Sequence, residues 1–187
     1  MHTILVAINL LAIETISGHV MIATQMKNEL PNLWYAMGRT TAWPNEDIPP
    51  AEDMLTTNLD EIIGFKKFEV ANLVAPLSNI DSSDINGDVI SYKSQDWQIV
   101  SDADAVKYGA RYVYLSVTLN PGDLPYNVYR QVGVYLNVKP LSTVASGTNI
   151  LVPTQVSDSG TLLGYDNRLF QRYSDNMKIT ENIVLKF

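Results

Sequence analysis

The chain has 187 residues, no cysteine, and a formal charge of −7 from 13 basic and 20 acidic side chains. Without cysteine there is no disulfide framework, no thiolate metal site and no cysteine nucleophile. The negative charge, with Lys66-Lys67 as the sole adjacent basic pair, argues against nucleic-acid and membrane partners. Charged residues make up 18% of the chain, below the roughly 25% of an average domain, and such a surface suits a protein packed against neighbours.

From the N-terminus, Ile4 to Ile13 is apolar apart from Asn9. The run has no basic n-region and is too short to cross a bilayer, so it reads as a buried or partner-docking segment. Residues 4–30 predict helix, with Lys27 near the C-terminal end, Pro31 as the stop and Gly18 as an interruption. This gives a helical arm, residues 1–30, ahead of a β-rich domain, residues 31–187. Residues 38–53 contain Pro44, Pro49 and Pro50 and predict a loop.

Two short capped helices are expected next. Thr57 and Asp60 have capping-box spacing before a stop at Gly64, and Ser101 and Asp104 repeat the pattern before Gly109. The rest predicts strand. Arg111–Leu119 alternates with Val113, Leu115, Val117 and Leu119 on one face, Val128–Val138 alternates likewise, and Lys178–Phe187 places Ile179, Ile183, Leu185 and Phe187 together. Weaker strand patterns cover Phe65–Leu73, Val89–Tyr92, Trp97–Val100 and Asn149–Val152, with Asn86-Gly87 as a hairpin-turn signal between two of them. The fold class is therefore mainly β.

Two charges interrupt apolar faces: Arg130 among Val128, Val132 and Val134, and Glu181 among Ile179, Ile183 and Leu185. A lone buried charge is costly, so the two are expected to pair, with Arg168 as the other partner open to Glu181. A bulge that carries Arg130 out to water is the competing reading.

Chemistry-bearing motifs are few. The imidazoles are His2 and His19, and no G-x-S-x-G, G-x-x-x-x-G-K or G-x-G-x-x-G is present. Asp84, Asn86 and Asp88 have the opening spacing of a calcium loop. The sixth position is Val89 and the twelfth Gln95, so a polar turn is the stronger reading and neither metal nor cofactor is expected. Two other functions stay open: a carbohydrate-binding module using Trp34, Trp43, Trp97 and the ten tyrosines, and a glycoside hydrolase using two facing carboxylates.

Several short motifs, taken in order, carry a resemblance. Gly38-Arg39-Thr40-Thr41-Ala42-Trp43, followed by Pro49-Pro50, resembles the Gly-Arg/Lys-x-x-x-Trp…Pro-Pro opening of the gene-product-eight-like baseplate wedge proteins of T-even-type phages. Val20–Asn28 is similar to that family's N-terminal segment, Ile63-Gly64-Phe65-Lys66-Lys67 to the pattern before its first strands, and Trp97 to a tryptophan that follows a Val-Ile-rich strand. Tyr129-Arg130-Gln131-Val132-Gly133-Val134, Gly164-Tyr165-Asp166-Asn167-Arg168 and Thr180-Glu181-Asn182-Ile183-Val184-Leu185-Lys186-Phe187 resemble its later motifs. The T-even proteins carry a longer middle region with no counterpart between Trp97 and Arg111.

The resemblance implies a β-sandwich-like core and a mechanical, non-enzymatic role. It implies wedge and hub proteins of a contractile tail baseplate as partners, homo- and hetero-oligomeric contacts, assembly in the host cytoplasm and residence in the virion. Gly38, Arg39, Trp43, Pro49, Pro50, Trp97, Tyr165 and Asn167 are its expected interface residues, and Arg130, Glu181 and Arg168 its expected structural ion-pair residues.

Overall fold

The computed structural model describes residues 13–86, 88–174 and 176–187. The predicted docking of residues 4–12 lies outside the described residues.

Helix α1 (Ile16–Asn28) begins where Thr15 caps it, its side-chain oxygen accepting from the Gly18 N–H at 3.1 Å. Gly18 is therefore a first-turn residue and does not interrupt the helix, contrary to expectation. Its N–H is one of the orphan donors that an N-cap satisfies. Val20 and Ala23 point into the main core and the helix lies on β3 and β6, so the described part of the arm packs on its own subunit. A 3-10 turn, Leu30–Asn32, places Pro31 at its start and feeds the first strand.

The strands are β1 (Leu33–Gly38), β2 (Gly64–Lys67), β3 (Val70–Pro76), β4 (Val89–Tyr92), β5 (Gln95–Ile99) and β6 (Tyr112–Leu119). They continue as β7 (Val128–Leu136), β8 (Lys139–Pro140), β9 (Ile150–Leu151), β10 (Val156–Asp158), β11 (Thr161–Arg172) and β12 (Ile179–Lys186). One five-stranded sheet runs β11-β7-β1-β2-β9, a second β12-β6-β3-β5-β4, and β10-β8 form a small ribbon. The paired strands are antiparallel throughout.

The sheets share a core. Leu33, Tyr35 and Met37 of β1, Val132 and Val134 of β7, Leu73 and Ala75 of β3, and Val113, Leu115, Val117 and Leu119 of β6 form one cluster. Burial on β6 alternates as its sequence dictates. A second cluster on the far face of the first sheet joins Trp34, Ala36, Phe65, Tyr135 and Leu151 to Leu59, which comes from the loop after β1.

Three expectations need correction. Residues 57–63 form a loop with a turn at Asp60-Glu61 before Gly64 opens β2, and residues 101–109 form turns; neither stretch is a helix. In the first, β7 side chains take the donors that a Thr57 cap would have served: the Leu59 N–H bonds to the Tyr135 hydroxyl and the Asp60 N–H to Gln131 Oε1, both at 2.8 Å. Glu61 then turns left-handed at φ 47°, which no helix tolerates. In the second, Ser101 caps Asp104, but the bonds that follow have mixed spacing and no helix propagates. The expected Phe65–Leu73 strand is two strands in different sheets, divided at Phe68-Glu69, where the two N–H groups bond to Leu33 and Ser116. The strand before Asn86 does not form a hairpin with β4, as that signal implied; β4 pairs with β5 across a turn at Lys93-Ser94, both with positive φ.

Gly160, at φ 71°, is where the chain enters β11, and a Cβ there would overlap the Leu136 carbonyl. Gly160→Ala is expected to lower stability by at least about 1–2 kcal/mol from the left-handed backbone alone. A urea midpoint that falls at unchanged m-value is the check.

Candidate functional site: a strap across the edge of a sheet

Residues 38–63 leave β1 and return to β2 as a strap laid against β7 and β11. Its ends close together because Gly38 has no side chain. A Cβ there would sit 2.8 Å from the Asp60 carbonyl oxygen and 3.2 Å from the Leu59 Cβ. Arg39 and Glu61, at φ 57° and 47°, turn the chain at each end. Arg39 donates to Asp60 at 2.8 Å and lies 4.0 Å from the centre of the Trp43 ring.

Glu61 acts as the inner clasp. One of its oxygens accepts from the Thr40 N–H, the Thr40 hydroxyl and the Thr41 N–H at 2.9–3.0 Å. These bonds, those of Thr41 foremost, draw its carboxyl down to about 2. A depressed folded-state value means the stabilisation is complete above the usual glutamate range and is lost as pH falls toward 2. Amide exchange at Thr40 and Thr41 is therefore expected to quicken, relative to the core, as pH drops from about 4.5 toward 2. Glu61→Gln should show fast exchange already at neutral pH, and equal protection in both proteins at pH 6 would contradict the assignment.

The strap also shields an exposed sheet edge. β11 is an outer strand, and outer strands present unpaired backbone groups. The Asn167 N–H is taken by Glu52 at 3.0 Å, and the Arg168 carbonyl accepts the Trp43 indole N–H at 2.8 Å. Asn167 Nδ2 donates to the Pro50 carbonyl at 2.9 Å, and the Tyr165 hydroxyl accepts from the Asp53 N–H at 2.6 Å. Proline suits such a strap because the contacts run through side chains and need no ladder of strap donors.

Beneath it sits Arg130, 7% exposed, donating to Glu46 at 2.9 Å and to the Thr40 carbonyl at 2.5 Å, with the Phe170 ring 4.8 Å away. The expected Arg130–Glu181 pair is not formed. Tyr129 reaches Glu181 between the sheets while Arg130 and Gln131 both meet the strap. The alternation of β7 slips by one residue at this point, opposite the irregularity of β11 between Asn167 and Gln171. Glu181 pairs instead with Arg168 at 2.7 Å, and Arg168 also holds Asp166 at 3.1 Å. Burial works against the Arg168 charge, but Glu181 outweighs it and raises the guanidinium value. Burial and then the Glu181 charge raise the Tyr129 hydroxyl, keeping it a neutral donor.

Of the predicted interface residues, Gly38, Arg39, Trp43, Pro49, Pro50, Tyr165 and Asn167 belong to the strap or its seat. Trp97 does not; it packs edge-on against Tyr112 in the other sheet at 4.8 Å. Asp84 is engaged by Lys107 and Tyr108, and Asn86 by Gln98. Sequence reasoning missed Glu46, Glu61 and the most enclosed ion pair, Lys66–Asp123, whose side chains are 4% and 14% exposed. The position of Lys66 between Phe65 and Lys67 in a strand offered a signal, since neighbours there face opposite ways.

Outward, the strap shows Ile48, Met54 and Leu55 at 70%, 101% and 85% exposure, among Asp47, Glu52 and Asp53. These features define a mainly β protein with a fastened, outward-facing apolar and acidic strap.

Residues 11–187 match the model of the family described as "Baseplate wedge 3 tail fiber network component". A curated relative, "Virion protein 3" of Enterococcus phage phiEF24C, is 34% identical over 175 residues, covering 94% of each chain. The chain belongs to the baseplate wedge 3 tail fiber network component family, and its role is a structural one in the phage virion, at the baseplate.

Proposed function

We propose that the chain is a wedge subunit of a contractile tail baseplate, of the gene-product-eight-like kind. It links neighbouring wedge and hub proteins during assembly and contraction and carries out no catalysis. The observation that carries this reading is the strap: its inner side is fastened by charged and aromatic side chains, while Ile48, Met54 and Leu55 face solvent. A patch of that kind, rimmed by polar residues, marks a protein–protein contact. Homo- and hetero-oligomeric contacts follow from the same surface, with assembly in the host cytoplasm before incorporation.

The test is a reconstruction of the phage particle by electron cryomicroscopy. Density for these two curled sheets is expected in the baseplate, with the strap against a neighbouring protein. Placement in the capsid or tail tube, or a strap facing open solvent in every copy, would overturn the proposal.

A further inference from the structure

The strap does not shield β11 along its whole length. Its hold on the outer edge comes through Glu52 and Trp43, which reach Asn167 and Arg168. Nearer the start of the strand lies a cleft of about 320 Å³, with Leu162, Leu163 and Tyr165 of β11 on one side and Glu52, Asp53 and Met54 of the strap on the other. The Asn167 N–H points away from β7, since Glu52 takes it. Main-chain groups two residues apart on a strand face the same way, so the Tyr165 N–H and carbonyl point outward too. Among the described residues, no hydrogen bond from beyond the β7 ladder reaches the main chain of residues 162–165. A donor and an acceptor set on a strand edge in this way are the template for another extended chain.

We propose that this edge receives, as an added strand, an extended segment of a different baseplate protein, rich in basic and apolar residues. The basic character follows from the rim of the cleft. Neither Glu52 nor Asp53 has a cationic partner among the described residues, and both belong to a chain of net charge −7. The apolar character follows from Leu162 and Leu163, both partly buried, and from Met54, fully exposed beside them. A second copy of this chain fits less well, because its adjacent basic pair, Lys66-Lys67, is already inside β2 between β1 and β9. Glu52 is held in place by Asn167 and the Asp53 N–H by Tyr165, so binding orders little beyond the incoming segment. The proposal rests on the reading of the chain as an assembly subunit and deepens it, naming the kind of partner and the edge that takes it.

The test combines a reconstruction of the assembled particle, in which the main chain can be traced, with deuterium exchange of the isolated chain and of purified particles. A strand of a different protein should run about 4.8 Å from β11, bonded to the Tyr165 N–H and carbonyl, with lysine or arginine against Glu52 and Asp53. Exchange at Tyr165 should be slower in the particle than in the isolated chain by roughly a hundredfold or more. Asp53→Lys keeps the main-chain N–H that Tyr165 accepts but repels a basic partner. It should lower the copies of this chain per particle about tenfold or more, and Asp53→Asn should lower them less. Equal exchange at Tyr165 in the two samples, or full incorporation of Asp53→Lys, overturns the proposal. So does an edge that meets solvent, a helix or a second copy of this chain. None of these outcomes moves the chain out of the baseplate, a reading that fails only on its position in the particle.

Discussion

Asp123→Ala is expected to cost about 3–5 kcal/mol, the largest loss from any single charge removal in the chain, because it strands a buried ammonium. Lys66 projects from β2 and its side chain is 4% exposed. Asp123 meets it from the turn after β6 and also accepts the Asn120 N–H at 2.8 Å. Burial raises the Asp123 carboxyl, but Lys66 and Asn120 outweigh it and hold the group below its ordinary value. The contribution is thus present at neutral pH and lost on acidification. Lys66→Met should cost less, since Asp123 keeps its backbone donor and has a path to water. The double variant Lys66→Met/Asp123→Asn removes both charges and keeps an acceptor for Asn120. It should recover most of the loss, because replacing a buried pair with uncharged groups is far milder than breaking it. Urea midpoints of wild type and the three variants measure these losses. A double variant no more stable than Asp123→Ala would show that the turn itself, and not the charge, was damaged.

The second large effect is at Arg168. Arg168→Ala should lower stability by about 3 kcal/mol at neutral pH, since it leaves Glu181 facing the Tyr129 hydroxyl without a counter-charge. Glu181→Gln, which removes the charge and keeps a polar partner for Arg168, should lose less. The Arg168 side chain ties β11 to Glu181 and Asp166, and its main-chain carbonyl, which the alanine variant keeps, accepts from Trp43; a β11 that shifts on losing those pairs should also quicken amide exchange along residues 40–53. Unchanged exchange there would uncouple the inter-sheet pair from the strap. Thermal midpoints and exchange on one preparation measure both.

These two sites were unequally visible in the sequence. Glu181 and Arg168 could be paired on paper because a charge among Ile179, Ile183 and Leu185 must be neutralised by something, and Arg168 was one of two candidates. Arg130 obeyed the same demand but found Glu46, which lies in a loop with no periodicity to read. A slip of one residue in β7 was enough to send it to the other side of the sheet, and alternation patterns do not announce slips. Lys66 escaped notice because four apolar and polar residues in a row, Gly64–Lys67, look like either face of a strand until its sheet partners are known. β1 and β11 were missed for related reasons. Leu33–Gly38 is buried on both faces and carries no alternation, while β11 is broken by two register shifts.

The sequence by itself determined the mainly β character, the faces of β6 and β12 and the proline-rich break after Gly38, because these depend on side-chain spacing along one stretch of chain. It also held the family motifs, whose order survives without any knowledge of contacts. Only the tertiary structure decided that residues 57–63 form a loop and 101–109 turns, that the strap lies over β11, and that Arg130 belongs to Glu46. Each of those outcomes rests on donors and charges supplied from residues far away in the chain, and a local pattern carries no record of which distant group arrives first to satisfy them.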